Sequence, residues 1–332
     1  MSNRSPHVAL VCEHLSESLS GLRIVSRPAP ELGPGEVRIV VAAAAVNFPD
    51  LLMARGAYQF KPPLPFVPGM EGAGPIVECG PDVTDWHVGD AVTFVMRHGA
   101  MAQEIVCPVD ALTAAPTGLS LDEAGCHALN GLTAVVALER VTRLQAGETL
   151  LVHGARGGVG AACVQLGLHL GARVIASGSH VEALAALAAQ GVEVVDVRTP
   201  FGDAVNGLTD GRGADVIADP VGGDVFDEST RCIAFGGRLL VLGFASGRIP
   251  TLAANRALIK GFSVMGVRAG EYGRRHPERG AENRERVRQL AAAGVLRPRI
   301  GLRLPLERAV EAFRALQSRE IHGRIVLTPP AT

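Results

Sequence analysis

Short apolar runs alternate with small-residue stretches of helical spacing from about residue 147 onward. This pattern predicts an apolar strand over 149–152, a helix over 161–170 and a second strand over 173–176. Strands that alternate with helices in this way indicate a parallel, doubly wound sheet. The same alternation predicts further strands over 192–197, 215–219, 237–242 and 262–266, and helices over 181–190 and 224–234.

The first third of the chain has a different texture, with short β-like runs broken by proline and glycine. Their spacing and turn residues favour a compact, partly open barrel over βαβ units. The predicted strands lie over 36–42, 74–78, 90–95 and 102–106, and a helix is predicted over 121–138. The tail predicts helices over 282–293 and 306–318 and an edge strand over 323–327, and we expect it to pack back onto the first domain.

Composition suits a two-domain cytoplasmic chain. Of its 332 residues, 47% are hydrophobic and 20% are charged, so packed cores are expected rather than disorder. The net charge of −1 gives no general attraction to nucleic acid or to an anionic membrane surface. We expect no signal peptide and no membrane span, because no apolar run approaches the ~20 residues that cross a bilayer. The six cysteines lack a C-x-x-C pair, which indicates reduced thiols.

Four glycines, at positions 154, 157, 158 and 160, lie between the first predicted strand and helix of this alternating region. Glycine lets the backbone approach a ligand closely, and a helix N-terminus stabilises an anion. A glycine turn in this strand–helix context is typical of the site that binds the pyrophosphate of a dinucleotide. The alternative is a tight turn without a ligand.

The end of the next strand bears on the choice between NAD and NADP. In NAD-selective units an acidic residue at this place accepts a hydrogen bond from the ribose 2′-hydroxyl. Residues 176–180 read Ala-Ser-Gly-Ser-His instead. The lack of a carboxylate that would repel a 2′-phosphate favours NADP(H), with Ser177, Ser179 and His180 as donors. The alternative is that the acid lies elsewhere and the serines cap a helix.

Several longer motifs carry a family resemblance. They follow one another over nearly the whole chain, at 45–52, 65–74, 88–90, 153–160, 219–223 and 237–245. With these motifs the chain resembles the zinc-free quinone oxidoreductases, the zeta-crystallin-like group of the medium-chain dehydrogenase/reductase superfamily. The resemblance implies an α/β protein in which a GroES-like, partly open β-barrel domain, residues 1–127 and 268–332, surrounds a doubly wound Rossmann domain, residues 128–267. It also implies a homodimer, often formed through the edges of the nucleotide-binding sheets.

Residue types at two positions argue against a catalytic metal. Zinc alcohol dehydrogenases of this superfamily place a cysteine ligand where this chain has Asn47 and a histidine ligand where it has Met70. An amide and a thioether are poor zinc ligands compared with thiolate and imidazole. The four-cysteine structural lobe is missing as well. We therefore expect no metal site.

Without a metal, hydride transfer suits acceptors in which conjugation delocalises the incoming charge. We expect an NADPH-dependent quinone oxidoreductase, with NADH as a possible cofactor and a quinone or an α,β-unsaturated carbonyl as the small-molecule partner. Two alternatives stay open: a reductase of the C=C bond of enals or enoyl-thioesters, and a nicotinamide-binding protein with little turnover. No nucleic-acid or membrane partner is expected, and no residue is identified as catalytic.

The resemblance, together with the strand-end pattern, also implies site residues. Leu52 departs from the family's frequent tyrosine, and Glu182 and Val197 replace residues that commonly meet the 2′-phosphate. The candidates for the substrate pocket are Asn47, Leu52, Tyr58 and Arg268. The cofactor-binding set is Asn47, Thr133, Arg156, Gly157, Gly158, Val159, Gly160, Ser177, Ser179, His180, Gly243, Phe244, Gly266, Val267 and Arg319.

Overall fold

A computed structural model of the protein describes residues 6–330. The chain divides into two compact units, one of residues up to Leu129 together with those from Arg288, the other of Asn130–Val287. The second unit includes residues 268–287, which the predicted division assigns to the first domain. Side-chain contacts hold this segment there, because Arg286 pairs with Glu139 at 2.9 Å and Asn283 accepts from Arg140 at 2.8 Å.

Sixteen strands and eleven α-helices make up the described chain. The strands are β1 His7–Cys12, β2 Leu22–Arg27, β3 Glu36–Val40, β4 Ala43–Val46, β5 Glu71–Cys79, β6 Ala91–Val95, β7 Glu104–Pro108, β8 Leu112–Ala114, β9 Thr149–Val152, β10 Arg173–Gly178, β11 Glu193–Asp196, β12 Ala214–Asp219, β13 Ile233–Val241, β14 Ser263–Gly266, β15 Ile300–Pro305 and β16 Arg324–Thr328. The helices are α1 Phe48–Ala54, α2 Leu121–Ala124, α3 Ala128–Val135, α4 Gly158–His169, α5 Ala185–Ala188, α6 Gly202–Leu208, α7 Gly223–Cys232, α8 Ala254–Lys260, α9 Ala269–Arg275, α10 Pro277–Ala292 and α11 Ala309–Ser318. Short 3₁₀ segments lie at Val109–Ala111, Val181–Leu184 and Leu306–Arg308, and a π-helix at Val136–Val141.

The second unit is built on a six-stranded sheet in the order β11-β10-β9-β12-β13-β14, and every pair of neighbours is parallel. This is the strand order of a doubly wound, dinucleotide-binding sheet. The central strands are apolar throughout because helices cover both faces. Leu151, Ile175, Ile217 and Leu239, one from each of the four inner strands, are fully buried in one core cluster. The predicted fold class is confirmed for this unit.

The first unit is mainly antiparallel, as expected for a GroES-like barrel domain. Its large sheet runs β15-β16-β4-β5-β3-β7, with β6 paired to β5 and β8, and a separate ribbon joins β1 to β2. The tail does pack onto this unit, because β16 pairs antiparallel with β4 and places Val326 opposite Ala45. Within residues 6–330, none of the helices combines the length and apolar character needed to cross a membrane.

Two predicted helices differ from the observed ones. The helix predicted over 121–138 is divided into α2, α3 and the π-helix, and the N–H of Leu129 near the start of α3 donates to the Glu71 carboxylate at 2.8 Å. A buried carboxylate thus takes a donor that a continuous helix would use internally. The helix predicted over 181–190 consists of a 3₁₀ turn followed by the four-residue α5.

Candidate functional site

The parallel sheet of the second unit brings five loops to one edge. Carboxyl ends of parallel strands meet at the same edge, and doubly wound sheets bind ligands there. The loops follow β9, β10, β12, β13 and β14, and the order in which successive strands are added to the sheet reverses between β9 and β12. Every predicted cofactor-binding residue of this unit except Thr133 lies in or beside these loops. The structure therefore brings these predicted residues together at the carboxyl ends of the strands.

The glycine loop after β9 is closed tightly on itself. Gly154 has a φ of +59°, and its carbonyl oxygen accepts from the Gly157 N–H at 2.9 Å. A Cβ at Gly160 would lie only 2.2 Å from that same oxygen, so no side chain fits there. Helix α4 begins at Gly158, and the N–H groups of its first turn point away from the helix toward any bound anion. These residues fit a pyrophosphate.

His153, the first residue after β9, is fully buried behind this loop. One ring nitrogen, Nε2, lies 2.7 Å from the Ser229 hydroxyl, and the other, Nδ1, lies 2.6 Å from the Ser177 hydroxyl. Burial lowers the pKa of His153 to about 3, so the imidazole is neutral. The Ser229 hydroxyl donates to the Val225 carbonyl at 2.7 Å and must accept from His153 Nε2. The proton is therefore assigned to Nε2, and Nδ1 accepts from Ser177.

This network corrects the prediction for Ser177. Its hydroxyl is buried and its single proton is donated to His153, so Ser177 is not available as a donor to a 2′-phosphate. Its role is to fix the end of β10 to the end of β9. Ser179 and His180 follow β10 and are both exposed.

The loop after β12 is shaped by Asp219. Its carboxylate accepts from the N–H groups of Val221 at 2.8 Å and Gly222 at 2.9 Å, and burial raises its pKa to about 6. Gly222 has a φ of +68°, and a Cβ there would lie 3.0 Å from the Phe244 ring. Phe244 and Gly243 thus lie against this loop, at the end of β13.

The segment after β14 continues the same edge. Gly266 is the last residue of the strand, and the buried Val267 donates its N–H to the Val241 carbonyl at 3.1 Å. Arg268 directly follows Val267, is exposed, and has its guanidinium 3.9 Å from the Glu271 carboxylate.

The remaining predicted residues occupy varied places. In the second unit, Thr133 is half-buried on α3, and Arg156 is half-buried in the glycine loop, where burial lowers the pKa of its guanidinium. In the first unit, Leu52 lies half-buried on α1 and Tyr58 packs against the core. Arg319 ends α11 with a φ of +60° and is exposed.

Asn47 is held by two buried charges. The Arg324 guanidinium donates to the Asn47 side-chain oxygen at 2.8 Å and to the Glu71 carboxylate at 2.7 Å, and the Asn47 amide nitrogen donates to Glu71 at 3.2 Å. The other Glu71 oxygen accepts from Leu129, and Arg324 Nε donates to the Cys126 carbonyl at 3.1 Å. Every side chain of this triad is therefore fixed by at least two partners.

Asp50 stabilises the same corner of the first unit. One carboxylate oxygen accepts from the Asn47 N–H at 2.9 Å and the other from the Gly69 N–H at 3.0 Å. Burial raises the pKa of Asp50 to about 7, against the opposite effect of these two hydrogen bonds. Asp50 thereby ties the start of α1 to the turn before β5.

Asn47 and Met70 are the two positions where the sequence comparison with zinc alcohol dehydrogenases places metal ligands. Asn47 belongs to the triad with Glu71 and Arg324. Met70 directly precedes Glu71, and its backbone carbonyl accepts from the Met96 N–H at 2.8 Å. Among residues 6–330, no group of three or more His, Cys, Asp or Glu side chains is arranged to hold a metal ion.

Sequence reasoning missed Glu71, Arg324 and His153 as parts of the site. Glu71 and His153 lie within motifs that carry the family resemblance, but a motif does not reveal which of its side chains are buried. Arg324 opens a short apolar strand in the tail, and an arginine among apolar residues was the available signal for a buried ion pair.

The raised pKa of Asp50 predicts a pH dependence of stability. Because the folded state binds this proton more tightly than the unfolded state, Asp50 stabilises the fold at low pH and loses that contribution as the pH rises through about 7. The unfolding free energy of the wild type minus that of Asp50→Asn is expected to fall by on the order of a few kcal/mol from pH 5 to pH 8. Urea unfolding at several pH values measures this difference, and the titrating histidines cancel because both proteins contain them. A difference that is constant or rises with pH would contradict the prediction.

Comparisons with known proteins agree with both units. Residues 33–117 match the alcohol dehydrogenase GroES-like domain, and residues 190–327 match the zinc-binding dehydrogenase family. Quinone oxidoreductase-like protein 2 homolog of Nematostella vectensis is 36% identical over 331 residues, 98% of this chain and 90% of that protein. The protein belongs to the zinc-free, quinone oxidoreductase-like family of the medium-chain dehydrogenase/reductase superfamily. Quinone oxidoreductase-like protein 2 of Mus musculus, at 35% identity, covers 96% of this chain and 91% of its own length.

Solved structures of medium-chain dehydrogenases and reductases share the fold. A mycobacterial quinone oxidoreductase has a TM-score of 0.85 at 30% identity and covers 97% of this chain and 100% of its own. CurK enoyl reductase has a TM-score of 0.88 at 26% identity, covering 98% and 100%. An NAD-dependent alcohol dehydrogenase has a TM-score of 0.88 at 30% identity, covering 97% and 99%. The protein is therefore an NAD(P)H-dependent oxidoreductase that acts on a small molecule.

Proposed function

We propose that this medium-chain reductase is an NADPH-dependent quinone oxidoreductase that works without a metal. The observation that carries the proposal is the anchored Asn47 amide. Its oxygen accepts from the Arg324 cation at 2.8 Å and its nitrogen donates to Glu71 at 3.2 Å, so its orientation is fixed. A position that holds a thiolate ligand in zinc relatives thus holds a neutral amide whose oxygen already binds a cation. A quinone suits this site because conjugation makes metal activation unnecessary.

Residues of this chain would bind and shield the cofactor. When bound, a reduced nicotinamide supplies a hydride. The first-turn N–H groups of α4 bind the pyrophosphate, and Phe244 and Val267 exclude water from the nicotinamide side of the sheet edge. Preference for NADPH is supported by the absence of an acidic residue in 176–180 and by the exposed Ser179 and His180 after β10.

A second candidate is reduction of an enoyl-thioester. It is supported by the likeness to CurK enoyl reductase and by a 36% identical stretch of the Streptomyces venezuelae pikromycin polyketide synthase component PikAII. That stretch covers 91% of this chain but 8% of the synthase. The exposed Arg268 at the same sheet edge also favours it, since a guanidinium stabilises the enolate that forms after hydride addition.

Turnover with defined acceptors tests the proposal. Oxidation of NADPH and NADH is followed with a quinone, an enal and an enoyl-thioester, each with and without a strong chelator. We expect the highest kcat/KM with NADPH and the quinone, unchanged by the chelator. A higher value with the thioester would favour the second candidate, and loss of activity in chelator with recovery on adding zinc would refute the metal-free reaction. Tight cofactor binding without turnover would indicate a binding protein.

The proposed homodimer is supported by an exposed apolar surface beside an outermost strand of the parallel sheet, away from the carboxyl-end loops described above. Strand β14 is the last of the six, and the side chains of Phe235, Leu258 and Ile259 beside it are 84%, 82% and 72% exposed. Large apolar side chains at an unpaired strand edge are typical of a protein interface. We therefore propose that the two subunits meet along the outermost strand β14.

Replacement of Ile259 by lysine is expected to convert the dimer to a monomer, because a charge would be buried in the apolar contact. Light scattering after gel filtration should give twice the chain mass of 34.6 kDa for the wild type and close to that mass for Ile259→Lys. Leu168→Lys, at an exposed apolar position on α4, is the matched control and should stay dimeric. A monomeric wild type, or a dimeric Ile259→Lys protein, would contradict this assignment.

A further inference from the structure

Strand β11 ends in a charged residue, Asp196, at the edge of the sheet where the cofactor is proposed to bind. Strands β10 and β11 are parallel, and their register places Gly178 opposite Asp196. Beyond these two residues the chain continues into the exposed His180 on one side and the exposed Arg198 on the other. In doubly wound sheets the adenosine ribose lies at the carboxyl end of the second strand, which here is β10. Arg198 is therefore one strand away from that place.

Arg198 is bound to Asp196 through several hydrogen bonds. Its Nε lies 2.9 Å from one carboxylate oxygen and 3.1 Å from the other, and its Nη2 lies 2.6 Å from the first. The backbone N–H of Arg198 also donates to the carboxylate, at 2.9 Å. A guanidinium has five N–H donors, so this pairing leaves the group able to bind a second anion.

Two neighbouring side chains, His180 and Glu182, influence the Asp196–Arg198 pair electrostatically. Arg198 lowers the pKa of the Asp196 carboxyl, mainly by hydrogen bonding, and His180 adds to this effect. Asp196 raises the pKa of Arg198 in turn, and Glu182 contributes to this in the same direction. Both members of the pair are therefore ionised at neutral pH. The Arg198 side chain is 57% exposed, so a ligand at this edge can reach it.

We propose that Arg198 is the residue that recognises the 2′-phosphate of NADPH, and that Asp196 limits the strength of this recognition. This inference rests on the proposed preference for NADPH. Arginine matches phosphate through two parallel hydrogen bonds and carries a full positive charge. The Asp196 carboxylate holds Arg198 at the strand edge, but it also repels a phosphate that carries nearly two negative charges. Arg198 thereby replaces the donor lost through the Ser177–His153 bond.

Cofactor titrations of matched variants test the inference. Dissociation constants for NADPH and NADH are measured by nicotinamide fluorescence for Arg198→Gln and Asp196→Asn. The control is Arg173→Gln, because Arg173 makes an equivalent bidentate pair with Glu193 where the same two strands begin. Its Nη2 lies 2.6 Å and its Nε 2.9 Å from the two Glu193 carboxylate oxygens. Thermal unfolding of all variants checks that they are folded.

Arg198→Gln is expected to weaken NADPH binding about 10- to 100-fold and NADH binding less than about 2-fold. Asp196→Asn is expected to strengthen NADPH binding about 3- to 10-fold with little effect on NADH. Arg173→Gln should change neither. Equal losses for both cofactors, or no loss, in Arg198→Gln would overturn the inference even if the wild type prefers NADPH. If the wild type has no NADPH preference but Arg198→Gln still weakens NADPH alone, the proposed cofactor preference fails and the role of Arg198 stands.

Discussion

Replacement of Arg324 by methionine is expected to lower the free energy of unfolding by about 3–5 kcal/mol. The Arg324 side chain is 9% exposed and that of Glu71 is 1% exposed, so water solvates neither charge well. Without the guanidinium, the Glu71 carboxylate keeps only neutral donors, from Asn47 and Leu129. A buried charge without a counter-charge is strongly destabilising. Urea unfolding followed by circular dichroism measures the loss.

An exposed ion pair of the same unit serves as the control. Arg303 donates to Asp122 at 2.5 Å, but its side chain is 54% exposed, so Arg303→Met should cost no more than about 1 kcal/mol. The double variant Glu71→Gln, Arg324→Met should recover part of the loss, because it removes both charges. An Arg324→Met protein within about 1 kcal/mol of the wild type would contradict the assignment of a buried pair.

The second unit was largely predictable because its signals are local. The strand predicted over 149–152 coincides with β9, and the strand predicted over 215–219 differs from β12 by one residue. Helix α4 begins at Gly158, three residues before the predicted start at 161. The pattern assigns all four glycines to the turn, but Gly160 lies inside the helix. Glycine is needed at this helical position because the Gly154 carbonyl oxygen leaves no room for a side chain.

Short elements without their own signal were not predicted. The helices α6, α8 and α9 have seven residues each, which is just under two helical turns. Two of them, α6 and α9, contain glycine. A helix this short depends on tertiary contacts rather than on propensity. Strand β4 is four residues long and alanine-rich, and it exists because β5 and β16 pair with it from distant parts of the chain.

The site shows the same division between local and distant information. The glycine loop and the missing acid after β10 are readable along the chain, but the partners of each side chain are not. The position of Ser177 at the end of β10 predicts a phosphate donor, but its hydroxyl binds His153, 24 residues away along the chain. The Glu71–Arg324 pair joins residues 253 positions apart, and no pattern in one sequence specifies such a contact.

Replacement of Gly158 by valine is expected to abolish cofactor binding while leaving the fold intact. Gly158 is the first residue of α4, where valine has a helix propensity no worse than glycine's. Its branched side chain would project where the backbone must approach the pyrophosphate, displacing charge-assisted N–H contacts and adding a clash. Loss of two such contacts corresponds to a decrease in affinity of at least ~100-fold.

Fluorescence titration with NADPH and far-UV circular dichroism measure the two parts of this expectation. Gly207→Val is the matched control, because Gly207 lies within α6 of the same unit and a Cβ there meets no atom within 4 Å. The control should bind NADPH as the wild type does. Weak binding by both variants would point to a general effect of valine on this unit. Wild-type affinity in a folded Gly158→Val protein would show that the glycine loop is only a structural turn, because a binding backbone cannot keep its contacts beside a branched side chain.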